Sequence, residues 1–327
     1  ASQTVFGKWR LMLPTSEPYP WQQNQWAQLN RLISQEKLPH ALVLCGPRHL
    51  GKEQFGYALA QRLLCDNQQG QVACGVCKQC SLFTSQNHPD VLRIVPEEEG
   101  KAIRIDRIRQ LSDFTEKTAQ QSGWKIVIIS PADAMNINAA NALLKTLEEP
   151  ARKTLLILVC HQLSRLSATV RSRCQKVVFP VPAPAEVHAW LSSKIADCDS
   201  NEAELLQYAE GRPLLALEFL QTDLLEIRRT FDKMLDELAS GQLSAIVAAQ
   251  KCQSLDTLMA IDWLYSRLAL ELKTKEMHPG TYRYLDRLIQ IKRRLQAGGN
   301  PNKSLLWEEL MLDWQHLLSL APPKRAG

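Results

Sequence analysis

Residues 40–53 read HALVLCGPRHLGKE. A short apolar run ends at glycine, and the helix-forming stretch KEQFGYALAQRLLC follows, which is the pattern of strand, turn and helix. The turn nearly matches the phosphate-binding loop G-x-x-x-x-G-K-[ST], with Gly46, Gly51 and Lys52 in place. Glu53 stands where that pattern asks for Ser or Thr.

Outward from this turn the same alternation continues. DVLRIVP (90–96), WKIVIIS (124–130), TLLILVC (154–160) and QKVVF (175–179) read as further strands. Their apolar residues are nearly continuous, as in strands buried on both faces. Helices fit between them: IDRIRQLSDFTEKTAQ (105–120), and NAANALLKTLEEP with Asn138 as N-cap and Pro150 as stop. Strands alternating with helices predict a parallel sheet covered on both sides. The expected α/β domain spans 1–179, although residues 1–16 carry none of the reading. PVPAPAEV (180–187) reads as a hinge. Three short helices then fill 180–221, and longer helices such as LEIRRTFDKMLDELAS, IDWLYSRLALELKTK and KSLLWEELMLDWQHLLSL fill an all-α region at 222–327.

The chain has 327 residues, 45% of them hydrophobic and 22% charged, which suits a globular protein of two or three domains. A net charge of +5 permits nucleic-acid contact without requiring it. No apolar run is long enough to span a bilayer and no signal-like apolar segment opens the chain. Nine cysteines, an odd number, point to a reducing compartment, so a cytoplasmic location is expected.

In a working phosphate loop, backbone N–H groups and the helix N-terminus cradle the phosphates. Lys52 would reach the β- and γ-phosphates, and a Ser/Thr hydroxyl would bind Mg²⁺. Glu53 offers no such hydroxyl. An acidic pair is also needed at the end of a later strand, but the candidate strand ends in Ser130-Pro131, with Asp133 three residues late. Two departures argue against hydrolysis. The rival reading is an active ATPase in which Lys52 binds ATP and Asp133 serves the metal.

Cys65, Cys74, Cys77 and Cys80 lie within sixteen residues. C-x₂-C turns bring paired sulfurs onto one metal, and four thiolates make a closed tetrahedral Zn²⁺ site, structural because no coordination position stays open. An iron–sulfur cluster is the rival occupant. Lys78 is the only cation between Cys65 and Cys80, which weakens an alternative reading as a zinc-containing DNA-binding scaffold. In ATVRSRC (168–174), Arg171 and Arg173 flank Ser172. They read either as solvated charges or as guanidinium groups offered to a phosphate in trans. His88 in NHPD reads as a loop histidine, with ligand or base as the other reading. IKRR (291–294) and PPKR near the end read as solvated charge.

Taken together, NAANALLKTLEEP followed by SATVRSRC resembles the clamp-loader branch of the AAA+ family. The insertion CDNQQGQVACGVCKQC followed by HPD is similar to that of bacterial clamp-loader subunits. The resemblance covers roughly residues 19–220, and more loosely NPNKSLLWEELMLDW beyond. It implies an AAA+ type parallel-sheet domain with a zinc insertion, a helical lid and a C-terminal helical collar. It implies a five-subunit ring with ATPase subunits of the tau/gamma type and a delta subunit, which loads the sliding clamp onto primed DNA for the DNA polymerase III holoenzyme. It places the family's arginine finger on Arg173, within Ser172-Arg173-Cys174, acting on a neighbour's ATP. Active relatives carry acids at the Ser130-Pro131 position and a lid arginine where Leu214 stands, with Arg212 out of step. Those departures fit a subunit that does not hydrolyse ATP, while Lys52 leaves passive nucleotide binding open.

Overall fold

The computed structural model describes residues 17–98, 100–116, 119–121, 123–195, 202–272, 279–296 and 299–319. It divides into two compact units, 1–222 and 223–327. The proline-rich segment at 180–187 lies inside the first, and PPKR lies outside the described residues.

In the first unit, α1 (Gln23–Ser34) leads into β1 (Ala41–Cys45), and α2 (Lys52–Leu64) and α3 (Lys78–Thr84) follow. Then come β2 (Val91–Ile94), α4 (Ile105–Glu116), β3 (Lys125–Ile129), α5 (Ile137–Glu148), β4 (Thr154–Cys160), α6 (Ala168–Ser172) and β5 (Gln175–Val178). The strands form one sheet in the order β2-β3-β4-β1-β5, every neighbouring pair parallel. All five residues of β1 are buried, and so are all seven of β4. The two-residue period of a strand divides them between two cores. Leu42, Leu44, Leu155, Ile157 and Val159 pack with Phe55 and Leu59 of α2. Ala41, Val43, Leu156 and Leu158 pack on the other face with Ile108 of α4 and Leu143 of α5.

Two boundaries differ from the sequence reading. Helix α4 spans Ile105–Glu116, and Gln120 is not helical. Asn136, not Asn138, caps α5: its Oδ1 accepts from the Ala139 N–H at 2.8 Å, so Asn138 lies inside the first turn. Both asparagines suit a cap by type, and Asn136 wins because its backbone is still extended.

Three short helices complete this unit: α7 (Pro184–Ile195), α8 (Glu202–Tyr208) and α9 (Pro213–Gln221). The second unit contains α10 (Leu224–Ala239), α11 (Ala245–Cys252), α12 (Thr257–Leu272), α13 (Pro279–Gln296) and α14 (Lys303–Ser319). Helices α11 and α13 lie in the region that the sequence marks as all-α, although neither is among the individual stretches read as helices there. The core of this unit gathers Phe231, Leu235, Leu264, Leu288, Leu310 and Met311 around Trp307, which is fully buried. Tyr284 donates its hydroxyl hydrogen to the Leu310 carbonyl at 3.1 Å. Among the described residues, no helix is long and apolar enough to cross a membrane.

Because Trp307 fills the centre of that core, Trp307→Ala should lower the stability of the second unit by about 3–5 kcal/mol. Urea unfolding followed by circular dichroism checks this, and a loss below about 1 kcal/mol would contradict such packing.

Candidate functional site

The parallel sheet delivers the ends of β1, β3 and β4 to one edge, where open α/β sheets bind ligands. The phosphate loop leaves β1 there. Gly51 caps α2 with φ +78°, and a Cβ at that position would lie 2.5 Å from the Tyr19 ring. Glycine is therefore required for both backbone and space. The neighbouring Leu50 carbonyl accepts from Trp21 Nε1 at 3.1 Å and Gln22 Nε2 at 2.8 Å, which holds the loop from the side.

Lys52 is 2% exposed, and its Nζ donates to the Pro47 carbonyl of its own loop. Burial lowers its pKa to about 8, opposed by the nearby Asp133 carboxylate. Glu53 Oε1 accepts from Tyr57 Oη at 2.7 Å, and Oε2 accepts from Ser130 Oγ at 3.2 Å. The two departures from the active pattern thus touch each other. The carboxylate sits on the helix and the hydroxyl at the strand end, the reverse of the arrangement that binds Mg²⁺. Asp133 is engaged as well. Its two carboxylate oxygens accept the backbone N–H groups of His161 at 2.9 Å and Gln162 at 3.2 Å, just beyond β4. It serves there as a backbone acceptor.

Sequence reasoning missed the two histidines at this edge. Burial, then Lys52, Arg48 and His49, pull His161 down to about 2. Burial, then Arg212, Arg48 and Lys52, pull His49 down to about 3. Both rings are neutral at pH 7. The His49 carbonyl accepts from the Leu214 N–H at 3.2 Å, and its Nε2 lies 3.6 Å from the buried Glu218 carboxylate. Helix α9 therefore touches the phosphate loop through its backbone at Leu214, where the resemblance implies an arginine in active relatives. Arg212 instead donates from Nε to the Ala209 carbonyl at 2.9 Å and pairs with Glu210. The only signal for this contact is a histidine in the loop and a glutamate in an otherwise apolar helix, and neither marks a function by type.

The four cysteines converge. The ligand atoms of Cys65, Cys74, Cys77 and Cys80 lie within 4.8 Å of one another. Cys65–Cys74, Cys65–Cys77 and Cys74–Cys80 sulfurs are 3.5, 3.9 and 4.0 Å apart. A tetrahedron with metal–sulfur bonds of about 2.3 Å has edges of about 3.8 Å, so the spacing fits. Backbone N–H groups of Cys74, Cys77 and Cys80 donate to the sulfurs of Cys65, Cys74 and Cys77 at 3.3, 3.3 and 3.5 Å. Burial raises the Cys65 and Cys80 thiols. Burial opposes ionisation of Cys77 too, but the N–H donors and neighbouring thiols outweigh it and bring it down to about 6. A cation at the centre would favour all four thiolates. The cluster could hold a metal. Lys78 donates to Gln121 Oε1 at 3.3 Å. His88 is buried with both ring nitrogens used, Nδ1 accepting from Asp90 N–H and Nε2 donating to Gln79 Oε1.

Arg173 follows the short helix α6, whose N-cap Ser167 accepts from Val170 N–H at 3.3 Å. Its side chain is 37% exposed, and Nη2 lies 2.6 Å from Glu148 Oε1 at the end of α5. Nη1 donates to the Thr169 carbonyl at 3.0 Å. Arg173 and the phosphate loop belong to different loops of this unit, and no described contact joins them.

Residues 21–183 match the family model described as DNA polymerase III, delta subunit. The chain is 36% identical over 324 residues to the DNA polymerase III subunit delta' of Pseudomonas aeruginosa, covering 91% of this chain and 98% of that one. It is 32% identical over 327 residues to the subunit delta' of Yersinia pestis, covering 92% and 96%. Among solved structures, a DNA polymerase III gamma subunit-related protein from Thermotoga maritima overlaps at a TM-score of 0.48 and 19% identity, covering 90% of this chain and 99% of that one.

Asp133→Ala removes the acceptor for two backbone N–H groups at the sheet edge. It should lower stability by roughly 1–3 kcal/mol, read as a drop in the thermal midpoint. An unchanged midpoint would mean that water replaces the carboxylate at no cost.

Proposed function

The chain belongs to the family of DNA polymerase III delta' subunits, and from that premise we propose that it is a non-hydrolysing clamp-loader subunit that offers Arg173 to the ATP site of a neighbouring subunit. The observation that carries the first part is the Glu53–Ser130 hydrogen bond. A carboxylate occupies the place of the metal-binding hydroxyl and is satisfied by the residue that stands where an acid would hold the metal. The ring is built with tau/gamma-type ATPase subunits and a delta subunit, and it loads the sliding clamp onto primed DNA. Within the chain, 1–179 is the AAA+ domain, 180–221 the lid and 222–327 the collar through which the ring is joined.

The second part rests on the exposure of Arg173 and its place at the C-terminal end of α6. A planar guanidinium presented across a subunit boundary stabilises charge on the transferring phosphoryl group. Removing it costs about 10³–10⁵-fold at the site it serves.

The test has two arms. Purified chain alone, with and without primed DNA, should hydrolyse no more ATP than its Lys52→Ala variant. Turnover that Lys52→Ala abolishes would make the chain an ATPase. In the assembled loader, Arg173→Ala should reduce DNA-stimulated hydrolysis by the share that the neighbouring site carries, with this chain still incorporated. Unchanged hydrolysis by a correctly assembled complex would sink the arginine's role.

We infer further that the cysteine cluster, whose four sulfurs could hold a metal, would take Zn²⁺ through Cys65, Cys74, Cys77 and Cys80. Bound there, the ion would cross-link the end of α2 to α3 through these four thiolates and serve a structural part. Metal analysis of purified chain should give about one zinc per chain. A chelator strong enough to remove it should lower the melting temperature; a metal-free chain melting at the same temperature would refute a structural zinc.

A further inference from the structure

The ion pair between Arg173 and Glu148 has no part in the roles assigned so far. It joins two elements that pack together, the last residue of α5 and the residue after α6. Arg173 is gripped in three places: Glu148 Oε1 is 2.6 Å from Nη2, the Thr169 carbonyl accepts from Nη1 at 3.0 Å, and Ser172 Oγ accepts from Nη1 at 3.4 Å. These contacts engage Nη1 and Nη2 and leave Nε–H without a partner among the described residues. The guanidinium is therefore fixed in direction while part of its donor set stays available.

We propose that Glu148 is a positioning residue for Arg173, holding the guanidinium in the orientation in which it meets a phosphate of the neighbouring subunit. This rests on the reading of Arg173 as a group acting in trans. An arginine free to sample its rotamers loses that freedom when it docks, whereas one already aimed by a carboxylate loses less. Two parts of the fold make Glu148 the residue suited to this. Leu147, its predecessor, is buried on the sheet, which anchors the end of α5. Val170 is fully buried and anchors α6 against the same core. The carboxylate and the backbone carrying the arginine are thus both tied to one rigid layer. Thr169 and Ser172 could not aim the group alone, because both contacts come from the arginine's own turn and move with it.

The opposite role for the same contact is a latch, in which Glu148 competes with phosphate for the guanidinium. Half-exposure of the Glu148 carboxylate argues against it. Water screens its charge from an incoming phosphate, and the unengaged Nε–H lets phosphate bind without displacing it.

The test uses the assembled loader with primed DNA and compares the original chain with Glu148→Ala, Glu148→Gln, Arg173→Ala and the double variant Glu148→Ala/Arg173→Ala. Steady-state hydrolysis is measured across ATP concentrations. Positioning predicts that Glu148→Ala lowers kcat by part of the loss that Arg173→Ala causes, with little change in KM. Glu148→Gln, which keeps an oxygen for the guanidinium, should retain part of the activity. In the Arg173→Ala background, Glu148→Ala should change nothing further, a result that a merely structural glutamate would not give. If Arg173→Ala is itself silent, the reading of Arg173 fails and this proposal with it. If Arg173→Ala is impaired while Glu148→Ala is unchanged or faster, only the positioning role is overturned, and faster turnover identifies a latch. Equal losses from Glu148→Ala in both backgrounds also overturn it.

Discussion

The burial of β1 on both faces, with parallel partners on both edges, is the constraint from which the first unit follows. A strand so placed cannot shift by one residue without moving Leu42 and Leu44 out of one core and Val43 and Cys45 out of the other. Its register with β4, Leu44 against Val159 and Cys45 against Cys160, sets where the phosphate loop leaves the sheet. The Gly46 N–H donates to the Cys160 carbonyl, which carries the pairing one step past the strand. The loop, Ser130 and His161 therefore meet at one edge although they are far apart in sequence.

That meeting changes how the substitutions at the phosphate loop are understood. In the sequence, Glu53 and Ser130 are two separate departures from an active pattern. In the fold they form one hydrogen bond, with Tyr57 satisfying the second oxygen. A lone glutamate at the start of α2 would be a half-buried charge without partners, and such a group is costly. Paired, it is a stable feature of the edge. Lys52 meets the same demand by turning back to the Pro47 carbonyl. Both side chains that follow Gly51 are thus satisfied by groups of this same edge.

The strands, the loop and the cysteine cluster were legible because each depends on a local pattern: continuous apolar runs, a glycine spacing, paired C-x₂-C turns. Helices α11 and α13 were less so. Residues 245–252, AIVAAQKC, bury Ala245, Ala248, Ala249 and Cys252 on one face, but Ile246 and Val247 lie exposed beside them and mask that period in the sequence, and α13 is dominated by charged and polar residues, with Thr281, Tyr284, Leu285 and Leu288 buried. The cap of α5 was misplaced by two residues because capping depends on which asparagine keeps an extended backbone, and composition does not encode that. Glu148 and Glu218 were invisible as partners. Each is an ordinary helical glutamate until tertiary structure brings it to Arg173 or His49.

Those two glutamates divide the charged chemistry of the unit. At the sheet edge, burial and surrounding cations keep His49 and His161 neutral, and the phosphate loop is held by the Leu214–His49 backbone bond and by the Trp21 and Gln22 side chains. At α6, by contrast, a strong cation is left half-exposed and braced by a carboxylate. Arg228 on α10 is the contrasting case, 6% exposed and bonded through Nε to Asp232 at 2.9 Å. Leaving Arg173 at the surface, aimed but incompletely engaged, makes physical sense if the remaining donors are completed by a group from outside the chain.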